Sequence, residues 1–343
     1  MVGTALVLGA TGQIGRAAVA ALSGDGWDVR AGARTPTSWP EGVRGLVVDR
    51  SDDASVAAAV GAGVDVLVDC VAYDQGHASQ LIRLAGDVGS AVVVSSMSVY
   101  GDDSGRTLDE ATGVDDFPVL PVPVAETQRT VGPGPATYST RKVAMEQVLL
   151  EAGSRLPVTV LRPGVVTGPH SVHPRELWFM KRALDERAVQ VLAFGGGSQW
   201  HTSSTPNIAE LVRLAAARSG TRVLNAADPR ALTVAEIGAA VSAVMDHTAR
   251  QVLMPGPADG SVGDNPWGVP VPVVADMSAA VEALGYRAVT DYASALPATV
   301  SWVLQQLQGR DWREAFPMFL RANGPAAFDY AAEDAWLDQA ATT

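Results

Sequence analysis

Three glycines spaced Gly-x-x-Gly-x-x-Gly, in Gly9-Ala-Thr-Gly12-Gln-Ile-Gly15, stand between an apolar run, Thr4–Leu8, and an Ala-rich stretch with helical periodicity, Gln13–Leu22. A strand that ends in a glycine turn and opens a helix leaves few folds open. The missing Cβ atoms permit a tight turn and close approach of a pyrophosphate to backbone N–H groups, and the helix N-terminus adds positive potential. Gly9, Thr11, Gly12, Gln13, Ile14 and Gly15 are therefore expected to form a dinucleotide loop, with Ile14 turned to the core. A purely structural turn is the alternative.

The alternation continues for a hundred residues. Asp28–Ala33, Leu46–Val48, Val64–Cys70 and Ala91–Ser95 read as strands, with Ala54–Val60 and Ala78–Val88 as helices between them. Strands that are apolar throughout and separated by helices predict a parallel sheet covered on both faces. The expected fold class is α/β, a doubly wound parallel sheet (Rossmann) with a smaller C-terminal mixed substrate domain. Residues 1–168, with 203–226 returning, are assigned to the first unit, and 169–202 with 227–343 to the second. Later expectations are a helix at Tyr138–Glu151, a strand at Val158–Arg162, no βα rhythm from His170 to Thr202, and a strand at Val223–Ala226. A helix at Thr233–Met245 opens with a Thr233/Glu236 capping box, and Ala275–Leu284 and Tyr292–Leu307 also read as helical.

The 343 residues are 47% hydrophobic and 18% charged, which excludes a disordered chain, and they are long enough to bury a core without disulfide staples. The net charge of −12 argues against a nucleic-acid partner, because phosphate binding needs clustered Lys and Arg. Cys70 is the single cysteine, so no internal disulfide or Cys-based zinc site can form, which fits a reducing, cytoplasmic setting. No apolar run approaches the ~20 residues needed to span a bilayer, so no membrane partner is expected. The opening MVGTALVLGATG has no basic stretch before its apolar run and does not read as a signal peptide.

The second strand selects the cofactor. An NAD site wants Asp or Glu at its end to accept from the adenosine 2′-hydroxyl. Here Val29-Arg-Ala-Gly-Ala-Arg34 has none, and Arg34 is placed to pair with a 2′-phosphate. NADP(H) is therefore expected rather than NAD, with Asp49 as a hydrogen-bond partner for adenine.

From Gly101 to Thr137 the chain is acidic, then proline-rich, a length usually found in functional or mobile loops. Beyond it, Tyr138-Ser-Thr-Arg-Lys142 puts a phenol and an ammonium four residues apart on one helix face. An ammonium close by favours the phenolate and lowers a pKa that is otherwise near ~10.

These pieces together, GATGQIG, the strand end VSSMSVYG, YSTRK and LRPGVVTGP, resemble the extended short-chain dehydrogenase/reductase (NAD-dependent epimerase/dehydratase-like) family over most of the chain. The resemblance implies that Ser96 binds the reacting oxygen, Tyr138 donates or removes the proton, and Lys142 holds the nicotinamide ribose and tunes Tyr138. It implies that the segment holding Pro163, Val165 and Val166 lies against the nicotinamide end. Ser95 and Ser98 serving backbone groups, and Tyr100 serving packing, are the plainer roles for their neighbours.

Departures narrow the substrate. Dehydratases of the family carry Thr-Asp-Glu where this chain has Ser96, Met97 and Ser98, so dehydration is not expected. The stretch Gly195–His201 lacks the diphosphate-binding arginine of many nucleotide-sugar enzymes and offers Trp200 and His201. The expected activity is NADPH-dependent reduction of a carbonyl on a small or mid-sized organic molecule. A nucleotide-sugar epimerase and a non-catalytic dinucleotide sensor are the alternatives. Such folds often pair two long helices between subunits, and by that analogy a homodimer is expected. His170, His173 and Glu176 have metal-like spacing without a helical frame, so no metal is expected. Trp178, Phe179, Met180 and Phe194 suit either core or pocket. Trp312, Phe316, Phe319, Phe328, Tyr330 and Trp336 suit a C-terminal helix packed on the body, or else a dimer contact or lid.

Overall fold

The computed structural model describes residues 2–340. Its first half runs β1 (Thr4–Leu8), α1 (Gln13–Gly24), β2 (Asp28–Ala33), β3 (Val43–Val47), α2 (Asp53–Val60), β4 (Val64–Asp69), α3 (Gln75–Arg83), β5 (Val88–Val94), α4 (Tyr138–Glu151) and β6 (Val158–Pro163). Then follow β7 (Val165–Thr167), α5 (Leu177–Leu184), β8 (Val189–Leu192), β9 (Thr202–Ser204), α6 (Thr205–Ala217), β10 (Arg222–Ala226), α7 (Val234–Val244) and β11 (Arg250–Leu253). Helices α8 (Ser278–Leu284), α9 (Tyr292–Leu307), α10 (Trp312–Ala315), α11 (Pro317–Asn323) and α12 (Tyr330–Ala340) complete the chain.

Seven strands form one parallel sheet in the order β10-β6-β5-β4-β1-β2-β3. The order reverses between β1 and β4, and the loops above their C-terminal ends form the crevice in which ligands of such sheets bind. One face is sealed by α1, α6 and α8 through Ala18, Leu22, Leu211, Val212, Ala280 and Leu284. The other is sealed by α2, α3 and α4 through Val56, Val60, Leu81, Met145 and Leu149. Ile14 is partly buried and packs against the first of these clusters, as its expected inward orientation requires.

Several boundaries differ from the sequence reading. The third strand is Val43–Val47 rather than 46–48, because β3 pairs with β2 from Val29 to Ala33. The helix expected at 78–88 begins at Gln75 and ends at Arg83. Asp74 caps it by accepting from His77 N at 3.2 Å, and Val88 already pairs with Val64 in the sheet. Helix α8 starts at Ser278, whose N–H the Asp276 carboxylate accepts at 2.8 Å. The stretch 170–202 contains α5, β8 and β9. Its short strands are hydrogen-bonded to distant partners: β8 to β11 and β9 to β7.

A second core joins α5, α7 and α9 through Trp178, Phe179, Ile237, Val300 and Val303. Trp178, Phe179 and Met180 are therefore core residues rather than pocket lining. Trp312, Phe316 and Phe319 are buried in the same cluster, with Phe328 packed against it. Helix α12 is fastened by a buried ion pair between Arg182 and Glu333, with the Arg182 guanidinium 3.4 Å from the Trp178 ring centroid.

Candidate active site

The glycine loop is shaped by backbone demands. Gly9 adopts a φ of +75°, and a Cβ on Gly15 would lie 2.2 Å from the Gly9 carbonyl oxygen. The cap residue Gly12 has no side chain to accept from the first turn of α1, and no carboxylate stands there. The N–H groups at this helix start are thus left for an anion from outside, which is what a dinucleotide pyrophosphate provides. Gln13 reaches across to the carbonyls of Val166 and Gly168, at 3.4 and 3.2 Å, and ties this loop to the segment after β6.

Two cavities flank the start of α1. One, about 380 Å³, is lined by Gly9, Thr11, Gly12, Gly32, Arg34 and Asp49 among others. Arg34 is exposed there and lies near enough to Asp49 to help hold its carboxyl below the usual range, the larger causes being hydrogen bonds from Ser51. The other cavity, about 390 Å³, brings together Gln13, Ser96, Tyr138, Pro163, Val165 and Val166. Residues expected at the adenosine end thus line one cavity, and those expected at the nicotinamide end line the other. Lys142 lines neither.

Tyr138 starts α4, where Thr137 and Thr140 form a reciprocal capping box. Ser139 anchors the helix start: its N–H donates to the Asp109 carboxylate at 2.6 Å, and its hydroxyl donates to the Ser98 carbonyl at 2.8 Å. Ser98 is therefore a structural partner of α4. Tyr100 is fully buried and donates to Asn225 at 2.6 Å, again a packing role.

The Tyr138 ring lies 5.6 Å from that of Tyr73, and Lys142 Nζ lies 5.5 Å from its centroid. The lysine is buried and donates to the carbonyls of Ala72 at 2.6 Å and Val94 at 2.9 Å. Burial lowers its pKa to about 8, against the pull of Asp69 and Glu146. The expectation that this ammonium lowers the phenol is not met in this state. Burial pushes Tyr138 up to about 12, with the Ser96 side chain pulling the other way and Asp109 adding to the rise. The phenol is held neutral and carries its proton.

The wall of the second cavity also holds Leu108, Asp109, Ser171, Val172, His173, Arg175 and Trp200. Asp109 is the carboxylate that the 101–137 loop contributes to this wall. Asp102, by contrast, is buried, accepts from Arg106 Nε at 2.7 Å, and is held down at about 2 despite its burial. The loop is pinned by bridges from Tyr100 to Thr130 and from Val124 to Ala275. His173 rests on Phe319, with a ring-centroid distance of 5.6 Å, and burial lowers its pKa to about 4. No group of three His, Cys, Asp or Glu among the described residues could hold a metal ion.

Arg175 is a site residue that the sequence reading missed. It stacks over Trp200 at 4.4 Å and over Trp267 at 5.8 Å, and it donates to the Pro266 carbonyl. The next residue, Glu176, is fully inside, and burial raises its pKa to about 7. A folded-state pKa above the unfolded value adds stability below the unfolded value, and that stability is lost as pH rises through about 7. Glu176→Gln is therefore expected to raise the thermal midpoint relative to wild type more at pH 8 than at pH 4. Equal differences at both pH values would disprove the burial cost.

Residues 9–177 match a family described as NAD(P)H-binding. This part of the chain is an NAD(P)H-binding domain. A 2′-dehydrokanamycin reductase of Streptomyces kanamyceticus is 28% identical over 150 residues, 43% of this chain and 38% of that protein, so the match spans well under half of the relative's length. Among solved structures, an epimerase from Methanothermobacter thermautotrophicus superposes with a TM-score of 0.68 at 16% identity, covering 89% of this chain and 93% of that one. MoeE5 in complex with UDP-glucose and NAD superposes at 0.63 with 21% identity, covering 89% and 100%. A UDP-glucose 4-epimerase with UDP-glucose from Thermotoga maritima gives 0.66 at 18% identity, covering 89% and 99%. At these identities the solved structures share the fold of the NAD(P)H-binding domain and the lobe that follows it. No helix among the described residues is long and apolar enough to cross a membrane.

Proposed function

We propose that the protein is an NADPH-dependent reductase of an organic carbonyl, with 1–168 and 203–226 as the cofactor domain and the remaining segments as the substrate domain. The observation that carries this reading is the placement of the Tyr138 phenol, which lines one cavity with Ser96 and Gln13 and has Lys142 Nζ 5.5 Å from its ring centroid. A nicotinamide bound beside Pro163, Val165 and Val166 would supply a hydride for the carbonyl carbon. The Ser96 hydroxyl binds the carbonyl oxygen, and Tyr138 gives its proton to that oxygen as the C–O double bond becomes single, so the product is the alcohol. Lys142 keeps a third N–H beyond its two carbonyl partners for the ribose.

Arg34 supports NADPH over NADH, since the cavity edge beside Asp49 offers a guanidinium to a 2′-phosphate. Arg34→Ala is expected to reduce the NADPH-over-NADH affinity ratio by about tenfold or more, the loss typical of a charge-assisted hydrogen bond. Equal affinities in the wild type would refute the assignment. The function itself is tested by following NADPH absorbance against aldehydes, ketones and UDP-sugars. Net NADPH consumption with a carbonyl is the expected result. Conversion of a UDP-sugar without consumption would make the protein an epimerase. Cofactor binding with no conversion of any compound would leave a sensor.

A further inference from the structure

The cavity that Ser96 and Tyr138 line also contains the Arg175 guanidinium, whose charge no ion pair among the described residues neutralises. Arg175 makes no ion pair within 4.0 Å among the described residues, and its one hydrogen bond goes to the neutral Pro266 carbonyl. A guanidinium has five N–H donors in a planar fork, so most of them remain unused. The fork is held in place by its stack on Trp200 and by the second ring of Trp267. Such a stack fixes its orientation before any ligand arrives, and little side-chain entropy is lost on binding. The nearest acid in sequence, Glu176, is raised to about 7 by burial and so gives only partial compensation. Asp109, the other acid of the cavity wall, is engaged by Ser139 N–H.

A partly buried, orientationally fixed and unpaired guanidinium on the wall of a cavity of about 390 Å³ is matched by one planar anion. We propose that the substrate is a carbonyl compound bearing a carboxylate, with that carboxylate held by Arg175 while its carbonyl oxygen lies at Ser96 and Tyr138. The proposal rests on the reductase reading and adds the substrate class. A single carboxylate suits the site better than a diphosphate. One guanidinium balances one charge, and the second negative charge of a diphosphate would share a cavity of about 390 Å³ with the Asp109 carboxylate. Arg175 is a specificity residue in this scheme, and the proton and hydride transfers do not pass through it.

The test uses matched pairs of aldehydes with NADPH: 4-carboxybenzaldehyde against benzaldehyde, and 4-oxobutanoate against butanal. In the wild type at least one carboxylated member is expected to have a kcat/KM about tenfold or more above its neutral partner. Arg175→Met, which keeps an apolar stem over Trp200, is expected to erase that preference, and Arg175→Lys to restore part of it. Arg175→Gln, checked by its thermal midpoint, serves if the Met variant fails to fold. A wild type that reduces neutral aldehydes as well as carboxylated ones overturns the proposal and leaves the reductase reading standing. If no aldehyde is reduced, binding of benzoate against benzamide is measured by calorimetry with NADPH present. Benzoate selectivity that disappears in Arg175→Met supports the anion site while the reductase reading falls. Equal binding of the two compounds by the wild type overturns the site as well.

Discussion

Tyr138→Phe is expected to lower carbonyl reduction by about 10²–10⁴-fold, the range that a positioned general acid contributes, while NADPH affinity changes by less than about twofold. The variant isolates the proton from the packing. Phenylalanine keeps the ring against Tyr73 at 5.6 Å and against Lys142 at 5.5 Å, so the helix start and the cavity wall are preserved. Only the hydroxyl beside Ser96 is removed. Stopped-flow measurement of NADPH oxidation, with cofactor affinity read separately from protein fluorescence, separates the two effects. A Phe variant with wild-type turnover would remove Tyr138 from the chemistry.

Lys142→Met is expected to weaken both turnover and NADPH affinity, each by about tenfold or more. The buried ammonium donates to Ala72 and Val94 carbonyls that end neighbouring strand connections, and its removal strips a partner from each. A loss of stability of about 1–3 kcal/mol per unsatisfied carbonyl accompanies the change, so the thermal midpoint should fall too. The pH profile distinguishes a functional charge from a structural strut. Because burial lowers this lysine to about 8, the wild type carries the charge below that pH and loses it above. Wild-type reduction should therefore decline as pH rises through about 8, and the Met variant should show no such step. A step that persists in Lys142→Met would assign the titration to another group.

The glycine loop and α4 were legible because their signals are local. Gly9, Gly12 and Gly15 need only their own strand and helix to make sense, and the span Tyr138–Glu151 and the Thr233/Glu236 box were read at or near their observed positions. The rest of the cavity wall was not legible, because its members meet only in space. Arg175 sits on an irregular stretch before α5, and nothing near it in sequence announces Trp200, the ring on which it lies. The short strand β8 has four residues, and its partner β11 begins 58 residues after β8 ends, with Arg250 opposite Val189. The direction of the Tyr138 shift was also out of reach. Helical spacing brings Lys142 close, but only the structure shows its ammonium turned toward two main-chain carbonyls rather than toward the phenol oxygen.

The pairing of Arg182 with Glu333 also bears on how the chain assembles. In the sheet, β1 finds β2 after a short excursion, Thr4 opposite Asp28, so that half can grow by successive additions. Arg182 must wait for a carboxylate 151 residues further along. Until Glu333 arrives, a guanidinium destined for full burial has no counter-charge, and a buried pair broken on one side typically costs about 3–5 kcal/mol. Closure of a loop that long is entropically slow. The second lobe is therefore expected to mature after the first. In pulsed hydrogen exchange, amides of β1 and β4 should gain protection before those of α5 and α12.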